Sequence, residues 1–316
     1  MSTFGKPEED SMDAKDESWY GMSHSKFREW TGIELGDTRQ VYARDLRAPK
    51  DAPLVFMPDG QARRFRWAAR TGRLICPVPG CADPRLTTRH GEERRDHFVH
   101  RHAPGLRHAN FPEEVTRQML HRWAGALDER LEVLDEQTVA GVKVTVLVRS
   151  VTGRRVALCY SSGALGVEAW QAQHAALERA GVAGVWLLPP SSRYFARPQT
   201  RCASGGEEAV GLVVDTQLFK TMRREGSWPL IVNIEREEVA NLIVPGKAVA
   251  KRLGLQRPPF AEGVLHVIVS PLARCTLCKD GMATLAVNKW QLEKMRSGYR
   301  RQLEELACIS EVRWAA

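Results

Sequence analysis

Apolar residues recur every fourth position through Val115, Met119, Trp123, Leu127 and Leu131, a spacing that lines one face of an α-helix. Ahead of them, Asn110-Phe111-Pro112-Glu113-Glu114 combines a capping residue, an early proline and two first-turn carboxylates, so a helix is expected to start there. Three strand-like segments follow, at 132–138, 142–148 and 155–161, separated by Ala140-Gly141 and Thr152-Gly153. They predict an antiparallel meander. A second helix is expected over 167–179, with Val167, Trp170, His174 and Leu177 on one face. The apolar run 184–188, closed by Pro189-Pro190, predicts a buried strand. Trp170, His174 and Trp186 lie on these apolar stripes and read as core.

The flanks have different patterns. Residues 1–36 show no apolar period and predict a mobile tail, with a short helix at 27–30. From Val41 to His108, short apolar runs at 54–57 and 73–76 alternate with Pro, Gly and Asp. This is the text of a small, turn-rich module whose core needs a staple. Beyond Pro190 the pattern predicts a loop over 191–208, a strand at 210–214 and a helix at 217–224. Strands at 230–234 and 264–269 and a long helix at 288–307 follow. The expected organisation is a tail (1–40), a metal-stapled module (41–110), a central α/β domain (111–190) and a C-terminal accessory α/β region (191–316).

The staple is suggested by cysteine placement. Of seven cysteines, four form two close pairs, Cys76 with Cys81 and Cys275 with Cys278, which argues for thiolate metal ligation in a reducing compartment rather than a disulfide framework. Cys76 and Cys81 flank a Pro-Val-Pro-Gly turn, and His97-Phe98-Val99-His100 follows. Two thiolates and two imidazoles suit tetrahedral zinc, and a closed four-ligand site is structural rather than catalytic. Cys76, Cys81, His97 and His100 are the expected ligands, with His90 or His102 as alternatives for either histidine. Cys275 and Cys278 form a second half-site, for which Cys202 and Cys308 are candidate partners. The chain contains no apolar run long enough for a membrane helix and no secretory stretch at its start, and the expected location is the cytoplasm.

Charge sharpens the picture. The net charge is +8 and the sequence pI about 9.3, but the first residues are acidic and the arginines concentrate around the first cysteine pair. Arg85, Arg89, Arg94, Arg95 and Arg101 are the expected contacts to nucleic-acid phosphates.

Several ordered pieces resemble the competence protein CoiA family: the zinc motif ending in His97-Phe98-Val99-His100, the helix entered at Pro112-Glu113-Glu114, and the runs 143–150, 153–161 and 184–188. The resemblance spans residues 41–189. It implies a zinc-finger-like region followed by a nuclease-like domain of the restriction-endonuclease-like, PD-(D/E)xK, class, and a role in handling DNA during natural transformation. That class carries an Asp on its second strand and Glu-x-Gln or Glu-x-Lys on its third. Here those positions are Thr145, Cys159 and Ser161.

Metal-dependent phosphodiester cleavage needs carboxylates to hold Mg²⁺ or Mn²⁺, and Thr, Cys and Ser do not supply that charge. Strand alternation still puts Cys159 and Ser161 on one face, and Thr145 on the face of Lys143. The expectation is therefore a degenerate, inactive nuclease core retained for binding DNA or DNA-processing proteins. An active, Mg²⁺- or Mn²⁺-dependent nuclease would instead have to use relocated acids, for which Glu114, Glu136 and Glu168 are available. Other readings are Cys159 as a nucleophile assisted by His121 or His174, and a regulatory subunit whose acidic tail and basic centre pair with a partner chain.

Overall fold

In the computed structural model, residues 39–50, 52–90, 95–108, 111–189, 213–214, 216–227, 229–243, 264–278 and 281–284 are described. The short apolar runs at the front of the chain fold into a small module. Its first strand β1 (Tyr42–Asp45) lies between β2 (Val55–Phe56) and β3 (Leu74–Ile75), antiparallel to both. Between β2 and β3 runs helix α1 (Ala62–Arg70), which packs on the hairpin of β4 (Leu86–Arg89) and β5 (His97–His100). The apolar pattern did not predict α1, because its packing residues are three alanines, Ala62, Ala68 and Ala69, and Phe65, set among four arginines. An outside group serves its N-terminus: buried Asp96 accepts the Ala62 N–H at 2.6 Å, a carboxylate at the positive end of the helix. Met57, Leu74, Leu86 and Phe98 fill the module, and Phe111 and Val115 of the next helix close it.

Helix α2 (Phe111–Leu127) begins where the capping pattern places it, burying Val115, Met119 and Trp123. Next comes β6 (Glu132–Asp135), and then a hairpin of β7 (Thr138–Val139) and β8 (Val142–Lys143) that interrupts the expected meander. The chain turns there through left-handed backbone at Glu136 (φ 48°), Ala140 (φ 49°) and Gly141 (φ 81°). β9 (Val146–Arg149) pairs antiparallel with β6 and with β10 (Arg155–Tyr160). Helix α3 (Val167–Arg179) occupies its expected span and leads to β11 (Val182–Leu188), parallel to β10.

Past residue 190 the chain extends the same sheet. β12 (Val213–Val214), helix α4 (Gln217–Arg224), β13 (Pro229–Asn233), β14 (Glu238–Ile243) and β15 (Val264–Pro271) precede a hairpin of β16 (Cys275–Cys278) and β17 (Gly281–Thr284). The eight-stranded sheet has the order β12-β15-β14-β13-β11-β10-β9-β6, with β13 parallel to β11. Alternation along β9, β10 and β11 sends residues to two cores. Leu147, Ala157, Cys159 and Trp186 meet Trp170 and Leu177 of α3 and Phe219 of α4, whereas Val146, Val148, Leu158 and Val185 meet Met119, Leu120 and Trp123 of α2. The result is a mixed α/β fold with helices on both faces of the sheet and four α-helices among the described residues.

No helix among the described residues is long and apolar enough to cross a membrane. The tail through residue 38, the loop expected at 191–208 and the long helix expected at 288–307 lie outside the described residues. Gln40, assigned to the tail by sequence, already bridges Phe98.

Candidate functional site

Cys76 follows β3, and the Pro77-Val78-Pro79-Gly80 turn brings Cys81 back towards it, with Gly80 in left-handed backbone (φ 70°) and the Cys81 N–H on the Val78 carbonyl at 3.3 Å. His100 ends β5, and a turn in which the Leu106 N–H meets the Ala103 carbonyl returns the chain at His108. Candidate ligand atoms of Cys76, Cys81, His100 and His108 all lie within 4.8 Å of one another. His108 Nε2 is 3.4 Å from Cys76 Sγ and 3.3 Å from His100 Nε2. Zinc–nitrogen and zinc–sulfur bonds at tetrahedral angles would put N···N near about 3.3 Å and S···N near about 3.6 Å. This donor set fits a metal ion such as zinc.

Three of the expected ligands come together, and His108 takes the place expected for His97. Residues three apart on a strand face opposite ways, so β5 directs His100 inward and His97 away, where the His97 Nδ1–H donates to the Arg95 carbonyl at 2.9 Å. His90 is engaged by Asp96 at 2.6 Å, and His102 is exposed. The sequence does carry a signal for His108: the Pro104-Gly105 turn that lets the chain double back.

Two further features suit the cluster to metal. The His100 Nδ1–H donates to the Leu106 carbonyl at 3.1 Å, which leaves the Nε2 lone pair facing the other ligands. Burial pushes the Cys76 thiol up to about 12, with neighbouring Cys81 adding to the rise and a hydrogen bond from the Val78 backbone opposing it. Burial, with His108 alongside, holds His100 below the usual imidazole range. A divalent cation supplies the charge that makes a buried thiolate affordable there.

In the second cysteine pair, Cys275 is buried, its Sγ–H lies 3.6 Å from the Pro271 carbonyl, and burial raises the thiol to about 11. Cys278 ends the same strand, β16. Cys202 and Cys308 lie outside the described residues.

Thr145, Cys159 and Ser161 gather at one end of β9 and β10. Continuing the β9–β10 register places Thr145 level with Cys159. The Thr145 hydroxyl accepts the Tyr160 N–H at 2.9 Å, while the Ser161 N–H reaches the Leu187 carbonyl at 3.2 Å. Cys159 is buried in the core under α3, and burial pushes its thiol up to about 12. Its Sγ–H has the Ala157 carbonyl at 3.9 Å as hydrogen-bond partner. Of the two histidines considered as its base, His121 stands on the opposite face of the sheet, held by Asp135 at 2.8 Å. His174 stacks on Trp170, with ring centroids 4.8 Å apart.

The alternative acids are separated. Glu114, on α2, gives both carboxylate oxygens to Arg117, at 2.5 and 3.0 Å, and one also to Gln118. Glu168 is exposed on α3, across the sheet, and Glu136 sits in the turn before β7 with Lys143 at 3.7 Å. Among the described residues, Cys76, Cys81, His100 and His108 form the one group of three or more Cys, His, Asp or Glu with converging ligand atoms. A contact not anticipated from sequence ties α2 to the end of β10: the Ser162 hydroxyl donates to Glu113. No local pattern announces it.

Beside the Cys/His cluster the module presents arginines. Arg85, just before β4, and Arg89, at its end, are exposed, and Arg101 is exposed with its guanidinium on the Arg70 carbonyl at 3.3 Å. Arg63, Arg64, Arg66 and Arg70 are exposed on α1. Arg95 differs from the other expected phosphate contacts: it pairs with Glu235 and lies over the Phe56 ring at 5.2 Å. Arg94 is outside the described residues. Comparisons with protein-family models, curated proteins and solved structures found no match to this chain.

Proposed function

We propose that this chain is a CoiA-like, DNA-associated protein in which a structural zinc centre holds an arginine-bearing face and a restriction-endonuclease-like core has lost cleavage. The observation that carries the reading is the exposed group Arg63, Arg66, Arg70, Arg85, Arg89 and Arg101 on the module that the Cys/His cluster staples. Guanidinium groups neutralise phosphates without reading sequence, so binding of this kind is general and weakens steeply with salt. Two thiolates and two imidazoles favour zinc over hard cations, and four protein ligands leave no open position for a reacting water.

The core reading is supported by element order. α2, the main strands β6, β9 and β10, then α3 and β11, follow the helix, three strands, helix, strand succession expected of the nuclease class. By the resemblance, Thr145 and Cys159 correspond to that class's Asp and Glu, and Ser161 to its Gln or Lys. Neutral side chains do not hold Mg²⁺ or Mn²⁺ against water.

The test combines binding and cleavage. Purified full-length chain is incubated with labelled single- and double-stranded DNA, with Mg²⁺ or Mn²⁺, at several salt concentrations, and its zinc content is measured. The expected result is one zinc per chain, salt-sensitive binding and intact DNA. Chelator-sensitive cleavage by the natural chain would overturn the inactive-core reading, and absence of DNA binding at low salt would overturn the DNA association.

A further inference from the structure

The outward stripe of α1 reads Arg63, Arg66, Trp67 and Arg70, the i, i+3, i+4, i+7 positions of one helical face. All four are exposed, whereas Ala62 and Ala69 are buried on the opposite side. Trp67 is 64% exposed, and only two other large apolar residues among those described, Leu46 and Val151, are comparably open. A tryptophan this exposed gains nothing for the core: the α1 face that packs on the β4–β5 hairpin is complete without it. Arg63 and Arg70 lie about 10 Å apart along the helix axis, with the indole between them. Arg101, on the last-turn carbonyl of Arg70, extends the positive charge past the end of the helix.

We propose that Trp67 is a stacking platform for an unpaired base, and that Arg63, Arg66, Arg70 and Arg101 hold the phosphates on either side. The ligand of the module is therefore single-stranded DNA. This rests on the DNA association above and specifies which form is bound. An indole offers a π-face that any base can cover, so stacking tolerates every sequence, but the bases of a duplex are already stacked on each other. A duplex meets only the arginines and keeps only the salt-sensitive term. The flat ring flanked by cations thus supplies a preference for unpaired strands that charge alone does not.

The experiment uses full-length chain and measures anisotropy of labelled oligonucleotides of about twenty nucleotides: single-stranded DNA, the matching duplex and single-stranded RNA. The natural chain is expected to bind the single strand more tightly than the duplex. Trp67→Ala should weaken single-strand binding about 5-fold to 100-fold, leave duplex binding and the salt slope unchanged, and be rescued largely by Trp67→Phe. Replacing Arg63, Arg66 and Arg70 by Gln should reduce the single-strand salt slope by about 2. Zinc content and melting temperature of each variant report its fold, and Trp67 is exposed enough that both should match the natural chain. If the arginine variant loses binding while Trp67→Ala binds the single strand as the natural chain does, the stacking proposal fails and the DNA association stands. Equal or tighter binding of the duplex overturns the proposal, as does a preference for RNA of more than about tenfold. If no nucleic acid binds, the DNA association fails with it.

Discussion

His100 and His108 face each other through their Nε2 atoms at 3.3 Å, while His97, three residues before His100 on the same short strand, belongs by alternation to the other face of β5. The metal centre is therefore expected to depend on His108 and not on His97. His108→Ala should lower the zinc retained after dialysis and the melting temperature together, whereas His97→Ala should keep full zinc. Metal analysis with thermal melting checks this, and loss of zinc from His97→Ala would refute the assignment. Chelation of the natural chain should reproduce the His108→Ala melt, because metal binding and module folding are linked.

How far the site was legible follows from the same residues. Cys76 and Cys81 are close in sequence around a turn, and their pairing was readable. His108 joins them through the return of a hairpin and loop: the Pro104-Gly105 turn marks that return, but no ligand spacing singles out His108. The pair at 97 and 100 is tighter than the common zinc-finger spacing, and residues three apart share a face on a helix but not on a strand. Helices were legible where one apolar face is large: Val115, Met119 and Trp123 announce α2. α1 was hidden because three alanines form much of its packing face and its exposed surface is arginine and Trp67. The central strands were legible from β-branched runs, but the continuity of β13, β14 and β15 with β11 depends on pairings between distant segments.

The β7–β8 hairpin carries a left-handed, non-glycine residue at Ala140, followed by Gly141. Its two-residue loop needs positive φ at both central positions, which favours Asn-Gly. Left-handed backbone costs an L-residue such as Ala roughly 1–2 kcal/mol, and Asn tolerates it better. Ala140→Asn is expected to stabilise the protein by about 1 kcal/mol, and Ala140→Val to destabilise it by a similar amount or more. Denaturant unfolding of the two variants decides the matter, and equal stability would mean the turn is not strained.

Asp128, in the loop after α2, has its carboxylate held by the Arg130 side chain at 2.8 and 3.0 Å and by the Arg130 backbone N–H at 3.0 Å. These hydrogen bonds favour the charged form and lower its pKa from 3.8 to about 2. A depressed folded-state pKa contributes stability that is present above the unfolded value and is lost as pH falls through the folded one. The contribution should fade between pH 3.8 and about 2. Carboxyl NMR titration should show Asp128 with a midpoint near 2 in the natural chain, moving up towards 3.8 in Arg130→Gln. An unmoved midpoint would assign the shift to another cause. Because the pair is exposed, salt should shrink the shift.

Glu114 joins the two parts of the fold. Its carboxylate is buried against Arg117, which also pairs with Asp135, and Gln118 links the same carboxylate to the Pro77 carbonyl at 3.2 Å and to Arg44 at 2.7 Å in the module. Removing one member of a buried ion pair leaves a desolvated charge behind, at a cost of about 3 kcal/mol, whereas apolar replacement of both members often costs far less. Glu114→Ala should therefore destabilise the protein by about 3 kcal/mol, and Glu114→Leu with Arg117→Met should recover most of that loss. The same variants separate structure from catalysis. A relocated nuclease acid would lose Mg²⁺-dependent cleavage in Glu114→Gln while the melting temperature held. A structural carboxylate lowers the melting temperature, with no cleavage to lose. The bidentate Arg117 contact favours the second outcome, because both oxygens that would hold a cation already face a guanidinium.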